Sequence, residues 1–573
     1  MKLGQALALL AQSRALPIGD SAFVACGFEP LHLLPLLEAH YLGRFPDKRL
    51  QLATGVYGDL EGNARRAFDQ EQTLVFLLVE YSDLDPRLGL RAAAPWSASH
   101  EADVLDGVKR KLQRLYDLLE PLTKRALVVA SLPTLPLTHH GHTPAAQASH
   151  FQLGLEREIA DFALACSRSK HVRILDSTEL ARRSPPLERL DVRSEFATGF
   201  PYRTPHTSAL ASQLIALGFA QAPKKGLITD LDDTLWSGIV GEVGADAIAW
   251  SQAEHAQIHG LYQLFLQQLS DAGVLLGAVS KNTPSVVQAA LTRELWLQSE
   301  RLYPTIASWG PKSDAVARIL ETWNVNADAV VFVDDSALEL AEVQQAHPGL
   351  TTLSFNGNEP EKVLALLERL RDLFGKPVIE RDDALRAGSL RRVSDFELER
   401  SAQPQLEFLR SLNGELTVET SKDPDNTRLL SLLNKTNQFN LDGARRSESE
   451  WRAFVAEPGS FVLGFSYTDK FGPLGTIGLM AGRVAEDGTH EVLHWVLSCR
   501  AFSRRIEHHM TECLLQRANN GRVSFTPVAN ERNAPFFDFL RSLGVDDPGG
   551  TVVLCRGEHS PKLAPLPHRT SSK

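Results

Sequence analysis

Short apolar runs alternate along the chain with longer stretches whose apolar positions recur every three or four residues, and that rhythm predicts most of its elements. In the first 222 residues, Ser21–Cys26, Leu50–Thr54, Thr73–Glu80, Ala126–Ala130 and Val172–Leu175 read as strands, while Leu3–Ala11, Leu31–His40, Ala102–Leu119 and Gln152–Arg168 have helical spacing. Runs of four to six aliphatic residues fit strands buried on both faces, and strands alternating with amphipathic helices imply a parallel sheet. The rhythm resumes at Leu227–Thr229, Val274–Val279 and Ala329–Val333, with a helix over Asp314–Trp323. Past residue 413 the predicted strands are Glu415–Glu419, Ser460–Tyr467, Gly475–Val484, Glu491–Leu497, Val523–Thr526 and Thr551–Cys555, with helices at Asp425–Asn434, Ser503–Asn519 and Asn533–Leu543.

The breaks in this pattern divide the chain into an α/β domain over 1–222, a central domain over 223–375, a charged helical linker over 376–412 and a last domain over 413–556. The stretch 557–573 is rich in Pro, Ser and His and is expected to be a disordered tail. A length of 573 residues with 43% hydrophobic and 23% charged residues fits several globular cores. A net charge of −10 argues against a nucleic-acid partner held by a basic surface. No apolar run approaches the roughly 18 residues a membrane helix needs. Five widely spaced cysteines suggest reduced thiols and a cytoplasmic protein.

Candidate chemistry concentrates where strands end. Leu227-Ile228-Thr229 runs directly into Asp230-Leu231-Asp232-Asp233-Thr234. Acids at a strand terminus lie on the sheet edge where open α/β folds bind ligands. Asp230 and Asp232, at i and i+2, point the same way; one can attack while the other handles a proton, and a divalent cation can screen their repulsion. The next strand ends in Ser280-Lys281-Asn282, whose hydroxyl can donate to a phosphoryl oxygen. Lys312, after Trp309-Gly310-Pro311, can offset aspartate and phosphate charge. Asp334 and Asp335 end a further strand and can complete an oxygen shell for Mg²⁺. Each element alone has a plainer reading, as solvated acids, a helix cap or an exposed lysine; the ordered set carries the specificity. Asp230 and Ser280 are only 50 positions apart, which leaves little room for a cap domain. An open site of this kind admits macromolecular substrates or relies on neighbouring domains for closure.

Asp230-x-Asp232-x-Thr234, followed by Ser280, Lys312 and Asp334, resembles the motif set of the haloacid dehalogenase (HAD) superfamily of phosphatases and phosphotransferases. The resemblance implies Asp230 as nucleophile and metal ligand, and Asp232 as general acid/base with its carbonyl on the metal. It implies that Thr234, Ser280 and Asn282 orient or bind substrate, that Lys312 stabilises charge, and that Asp334, supported by Asp335, holds Mg²⁺. The longer stretch from Asp230 through Trp236-Ser237-Gly238-Ile239-Val240-Gly241-Glu242 is similar to the first motif of the FkbH-like family. Pro311-Lys312-Ser313, Phe332–Ser336, Leu433–Leu441, Leu497-Ser498-Cys499-Arg500 and Asp83–Gly89 fit as well, so the resemblance covers nearly the whole chain. It implies a glyceryl transferase and phosphatase that moves the glyceryl unit of 1,3-bisphosphoglycerate to the phosphopantetheine thiol of an acyl carrier protein. The products feed polyketide-type assembly lines. An acyl phosphate is already activated, and no Walker-type loop is present.

The last domain resembles a GNAT acyltransferase, an α+β fold. Its Ser498–Arg505 stretch lacks the glycines that cradle coenzyme A, so a phosphopantetheine arm is the expected ligand, with Arg500, Arg504 and Arg505 reaching its phosphate. Cys499, at a strand end beside arginines that favour a thiolate, is the candidate carrier of the glyceryl group; the plainer reading is a small buried residue. Asn437, Gln438 and Asn440 either line the same cleft or orient an interface. In the first domain, Gly19-Asp20-Ser21 and His206 resemble the nucleophile and base of SGNH hydrolases, but Arg203 stands where an orienting Asp belongs. That implies a degenerate SGNH-like domain used for binding or docking. Tyr81–Arg91 reads as an Asp–Arg salt-bridged turn or a ligand loop, and His139-His140-Gly141-His142 as a solvated loop rather than a metal site. The expected whole is α/β with three domains: an SGNH-like parallel sheet, a capless HAD-type Rossmann-like domain and a GNAT-like domain. Two other functions fit the sequence: a HAD phosphatase whose last domain transfers a different acyl group, and a non-catalytic carrier-docking protein.

Overall fold

Aliphatic runs too short for helices and too apolar for a wet face become strands covered on both sides. The computed structural model describes residues 1–91, 97–134, 143–144, 146–376, 404–424, 426–436, 438–530, 532–545 and 550–572. It divides into two compact units, Met1–Gln221 with Ser447–Phe454, and Ala222–Arg446 with Val455–Lys573.

In the first unit, β1 (Ile18–Cys26), β2 (Arg49–Thr54), β3 (Leu74–Leu78), β4 (Leu127–Ser131) and β5 (Val172–Ile174) form a parallel sheet in the order β2-β1-β3-β4-β5. Alternate side chains feed two cores. Val24, Phe76 and Val129 pack with Leu214 on one face, while Phe23, Val75 and Val128 pack with Val108 and Leu112 on the other.

The second unit holds two sheets. In one, β6 (Gly226–Thr229), β7 (Leu275–Ser280), β8 (Leu302–Ala307), β9 (Val330–Asp334) and β10 (Thr351–Ser354) run parallel in the order β10-β9-β6-β7-β8. Trp236, Tyr262 and Leu266 pack on one face, and Ile319, Trp323 and Val343 on the other.

The other sheet comprises β11 (Glu415–Thr420), β12 (Phe439–Asn440), β13 (Ser460–Asp469), β14 (Gly472–Val484), β15 (His490–Leu497), β16 (Arg522–Phe525), β17 (Val552–Cys555) and β18 (Arg569–Ser572). Its order is β17-β16-β15-β14-β13-β11-β18, with β12 on β15. It is mostly antiparallel, but β16 lies parallel to β15 and β18 parallel to β11.

The expected disordered tail over 557–573 is corrected by this sheet. Arg556–Leu563 is a helix, and β18 pairs with β11 from Glu415↔Arg569 to Val418↔Ser572. Leu563 is fully buried, and the Arg556 guanidinium donates to the carbonyls of Leu515 (3.0 Å) and Ala518 (2.9 Å), at the end of the helix Ile506–Arg517. Polar composition did not register these docking contacts. Most of the charged linker, residues 377–403, and His139–His142 lie outside the described residues. Among the described residues, no helix is long and apolar enough to cross a membrane.

Candidate active site

β9, β6 and β7 are adjacent, with Thr229 level with Val333 on one side and Ala278 on the other. Asp230, Ser280 and Asp334 therefore emerge together at one edge of the sheet. The Asp230 amide donates to the Val333 carbonyl (2.9 Å), which fixes the first acid at the strand end. Asp233 adopts φ 51°, a left-handed conformation that Asp tolerates, and accepts the Gly238 amide (2.7 Å), so the chain turns sharply after the motif. Pro311 precedes the helix Lys312–Trp323, and its ring fixes the approach to the first turn, where Lys312 sits.

The buried Lys312 ammonium donates to Asp230 Oδ1 (2.6 Å) and Asp334 Oδ2 (2.7 Å) and pairs with Glu339. Glu339 also meets Lys281 (2.9 Å). Asp230, Asp334, Asp335 and Glu339 thus gather around two ammonium groups. Burial raises the Asp230 carboxyl well above the usual range, with Lys312 opposing and Asp334 adding to the rise. Burial pushes Asp334 up to about 6 against the pull of Lys312, and it raises Asp335 too. Burial works against Glu339 as well, but its bonds to Lys312 and Lys281 prevail and hold that carboxyl below its ordinary value. Burial alone would lower the Lys312 pKa; Asp230 and Asp334 outweigh it and keep the proton on nitrogen.

One oxygen each from Asp230, Asp334 and Asp335 lie within 4.8 Å of one another. An all-carboxylate set with excess negative charge fits a hard divalent cation such as Mg²⁺.

Asp232 is held from three directions. Its Oδ1 accepts from the Trp236 indole N–H (2.9 Å) and the Val240 amide (3.0 Å), and its Oδ2 from the Asn282 amide (2.6 Å). Asn282 also donates to Ser280 Oγ (3.3 Å), so the two ends of β6 and β7 are joined through polar side chains. Thr234 is fully buried; its hydroxyl has no hydrogen-bond partner among the described residues, and its carbonyl accepts from His259 Nδ1 (3.0 Å). Glu339 was missed in the sequence. An acid in the first turn of the helix Ala337–Ala346 reads as ordinary dipole compensation, and its five-residue distance from Asp334 was the available signal. The Trp236 and Val240 donors lay inside a quoted motif, but their bonds to Asp232 did not follow from it.

Cys499 opens a single 3₁₀ turn, Cys499–Ala501, after β15 and is half-buried. Together with Arg500 it lines a cavity of about 100 Å³. Arg504 does not serve the role expected of it: its guanidinium is buried and paired with buried Asp469 (2.8 Å). Arg505 donates to the Leu563 carbonyl (3.0 Å). Gln438 exchanges amide hydrogen bonds with Asn324 (2.7 and 2.9 Å), whereas fully buried Asn440 bonds to the Thr436 carbonyl (3.0 Å) and accepts from Asn533 at its own. Asn437 lies outside the described residues.

The SGNH-type pairing is not formed. Ser21 sits within β1, well before the strand's C-terminal end, and Asp20 is engaged by Tyr41 and Lys48. His206 Nδ1 meets Ser184 Oγ (3.0 Å) instead. A nucleophile needs the open strand end, and Ser21 is not there.

No protein-family model matches the chain, and no curated protein matches it. Among solved structures it is similar to the N-terminal part of the protein BF1531 from Bacteroides fragilis, which contains a phosphatase domain and is complexed with Mg. The TM-score is 0.51 at 17% identity, over 66% of this chain and 100% of that one. At that identity the likeness is one of fold: a mixed α/β architecture built on parallel sheets.

Proposed function

We propose that this chain is a Mg²⁺-dependent phosphatase of HAD type that also transfers a glyceryl group. It takes the glyceryl unit of 1,3-bisphosphoglycerate to the phosphopantetheine thiol of an acyl carrier protein and removes phosphate. The observation that carries the reading is the buried Lys312 ammonium bridging Asp230 and Asp334 within a cluster whose acids outnumber its cations. Phosphoryl transfer needs that combination: a carboxylate nucleophile, a fixed cation and surplus charge for a metal.

Asp230 Oδ attacks phosphorus in line and forms an aspartyl-phosphate. Asp232 gives a proton to the departing oxygen, then takes one from the water that opens the intermediate. The three donors on Asp232 hold it at one angle through both steps. Asp230, Asp334 and Asp335 would hold Mg²⁺, which when bound supplies charge compensation to the phosphoryl oxygens. For acyl transfer, the Cys499 thiolate adds to the glyceryl carbonyl, and the carbon–oxygen bond to phosphate breaks with the electron pair leaving on phosphate. The carrier thiolate then displaces Cys499. Exposed Ile239, Trp309 and Leu338, on the segments that carry Asp232, Lys312 and Asp334, support a macromolecular partner at the open mouth.

The test is incubation with holo-acyl carrier protein, Mg²⁺ and 1,3-bisphosphoglycerate, followed by intact-mass analysis of both proteins. A glyceryl adduct on the carrier, absent with Cys499→Ala, is expected. Phosphate release that is lost in Asp230→Asn, with no adduct on either protein, would identify a phosphatase alone. Neither adduct nor release would leave a docking protein.

A further inference from the structure

The last domain holds a second hollow, built mostly of rings. Gln438 lines the Cys499 cavity, while its neighbour Phe439, which opens β12, floors a separate groove of about 190 Å³. Phe502, Glu507, His508 and Phe539 line that groove too. Phe502 follows the turn Cys499–Ala501, Glu507 and His508 lie in the first turn of the helix Ile506–Arg517, and Phe539 comes from the helix Ala534–Ser542. Ser503 and Arg505 take left-handed conformations, at φ 63° and 59°, and so bend the chain sharply between Phe502 and the helix. That bend brings an aromatic ring and a carboxylate from neighbouring turns of the chain onto one groove.

The rings do not stack. Phe439 and Phe502 meet at 61° with centroids 6.5 Å apart, Phe439 and Phe539 at 49° and 5.8 Å, and His508 and Phe539 at 72° and 5.1 Å. Rings inclined in this way turn negative π faces, and not edges alone, towards a shared space. Glu507 Oε1 accepts from His508 Nδ1 (2.9 Å), and the Glu507 and His508 side chains are only 18% and 13% exposed. Among the described residues, no Lys or Arg pairs with Glu507 and none lines the groove. A carboxylate in the first turn of a helix is ordinary compensation for the dipole, but that role does not call for three phenylalanine rings in front of it. An anion would be repelled by Glu507, and an apolar chain would strip water from the carboxylate without replacing it. A metal ion such as Mg²⁺ prefers a full oxygen shell, and Glu507 is the groove's one carboxylate among the described residues. An organic cation suits both the ring faces and the acid.

We infer that this groove binds a small organic ammonium ion, whose alkyl groups lie against Phe439, Phe502 and Phe539 and whose charge faces Glu507. The ion is quaternary or a protonated amine; both give the rings a weakly hydrated, spread positive charge. The site is separate from the carboxylate centre and from Cys499. Neither phosphate removal nor acyl transfer calls for it, so it stands or falls independently of those activities.

The experiment is titration calorimetry on the full chain at fixed ionic strength and without Mg²⁺. The probes are choline against its neutral isostere 3,3-dimethylbutan-1-ol, and isopentylamine against isopentyl alcohol. At least one ammonium is expected to bind saturably and about tenfold more tightly than its neutral counterpart. Preference within the first pair alone assigns a quaternary ion, and within the second alone a protonated amine. Glu507→Gln should remove most of the preference. Phe502→Leu keeps the apolar bulk but loses a π face, so it should weaken the ammonium several-fold and leave the neutral probe unchanged. Asp230→Asn and Cys499→Ala should bind as the unaltered chain does. Equal affinity within both pairs, no saturable binding, a preference undiminished in Glu507→Gln, or one lost in Asp230→Asn overturns the inference. The paired probes read the preference on the unaltered chain, and two substitutions on different segments locate it, so one misfolded variant does not decide the result.

Discussion

The first sheet, like β6–β10, is parallel, five-stranded and has acids where its strands end, but the neighbours of those acids differ. Beyond β3, Asp83 meets Arg91 (2.5 Å), Asp85 meets Arg87 (2.7 Å), and Glu80 accepts the Tyr202 hydroxyl. Gly27 faces this cluster so closely that an added Cβ would fall 1.8 Å from Asp83 Oδ1. Each Asp has its own guanidinium, and the edge is closed by packing. Beyond β6 and β9, four carboxylates gather around Lys312 and Lys281, and three of them converge within 4.8 Å. One fold thus yields a locked edge and a reactive one. The difference lies in how many acids are left without a cation of their own, not in the sheet.

The largest effect expected separates the two edges by activity. Asp230→Asn should lower Mg²⁺-dependent phosphate release at least about 10³-fold, some 4 kcal/mol of barrier, while Asp83→Asn should change it less than about twofold. Comparable losses in both variants would erase the distinction. Arg91→Ala should do the converse. It leaves Asp83 buried without its partner and should cost the first unit about 3–5 kcal/mol in denaturant titrations, with the rate of phosphate release unchanged at low temperature.

Acid should sharpen the contrast. His206, beside Tyr202 in the first unit, is driven down to about 4 by burial and then by Arg189. The unfolded chain takes up this proton near 6.5, but the folded one stays neutral until about 4. Its contribution is therefore complete above pH 6.5 and declines as pH falls towards 4, by about 3 kcal/mol in all. A melting series across that window should show this slope, and His206→Gln should flatten it. The smallest effect belongs to Glu339→Gln. With one carboxylate fewer, Lys312 turns more fully to Asp230 and Asp334 and competes with the metal, so calorimetry should show Mg²⁺ binding weakened by only a few fold.

The reactive edge was legible because its parts are local. An apolar run that stops at an acid announces both the strand and its terminus, as Asp230 and Asp334 do, and the fixed order of Ser280 and Lys312 between them added meaning no single residue had. What stayed hidden depends on distant partners. Arg504 lies five residues from Cys499, yet its guanidinium points to Asp469 in β13, thirty-five positions earlier in the chain. Ser21 and His206 carry the residue types of a catalytic pair, but the depth of Ser21 within β1 was not written in the spacing. Glu339 looked like helix-end compensation until Lys312 was found against it.

The parallel pairing of β18 with β11 has a practical side. Without it, the outward-facing backbone groups of Glu415–Val418, on the side of β11 away from β13, would lie unpaired, the kind of rim through which soluble proteins stack into insoluble ribbons. Residues 569–572 act as a guard rail: four exposed polar side chains on a strand too short to recruit another. Trimming the chain to remove what its composition marks as dispensable would convert that guarded rim into a nucleation line. Any shortened version meant for expression should therefore keep Arg569–Ser572.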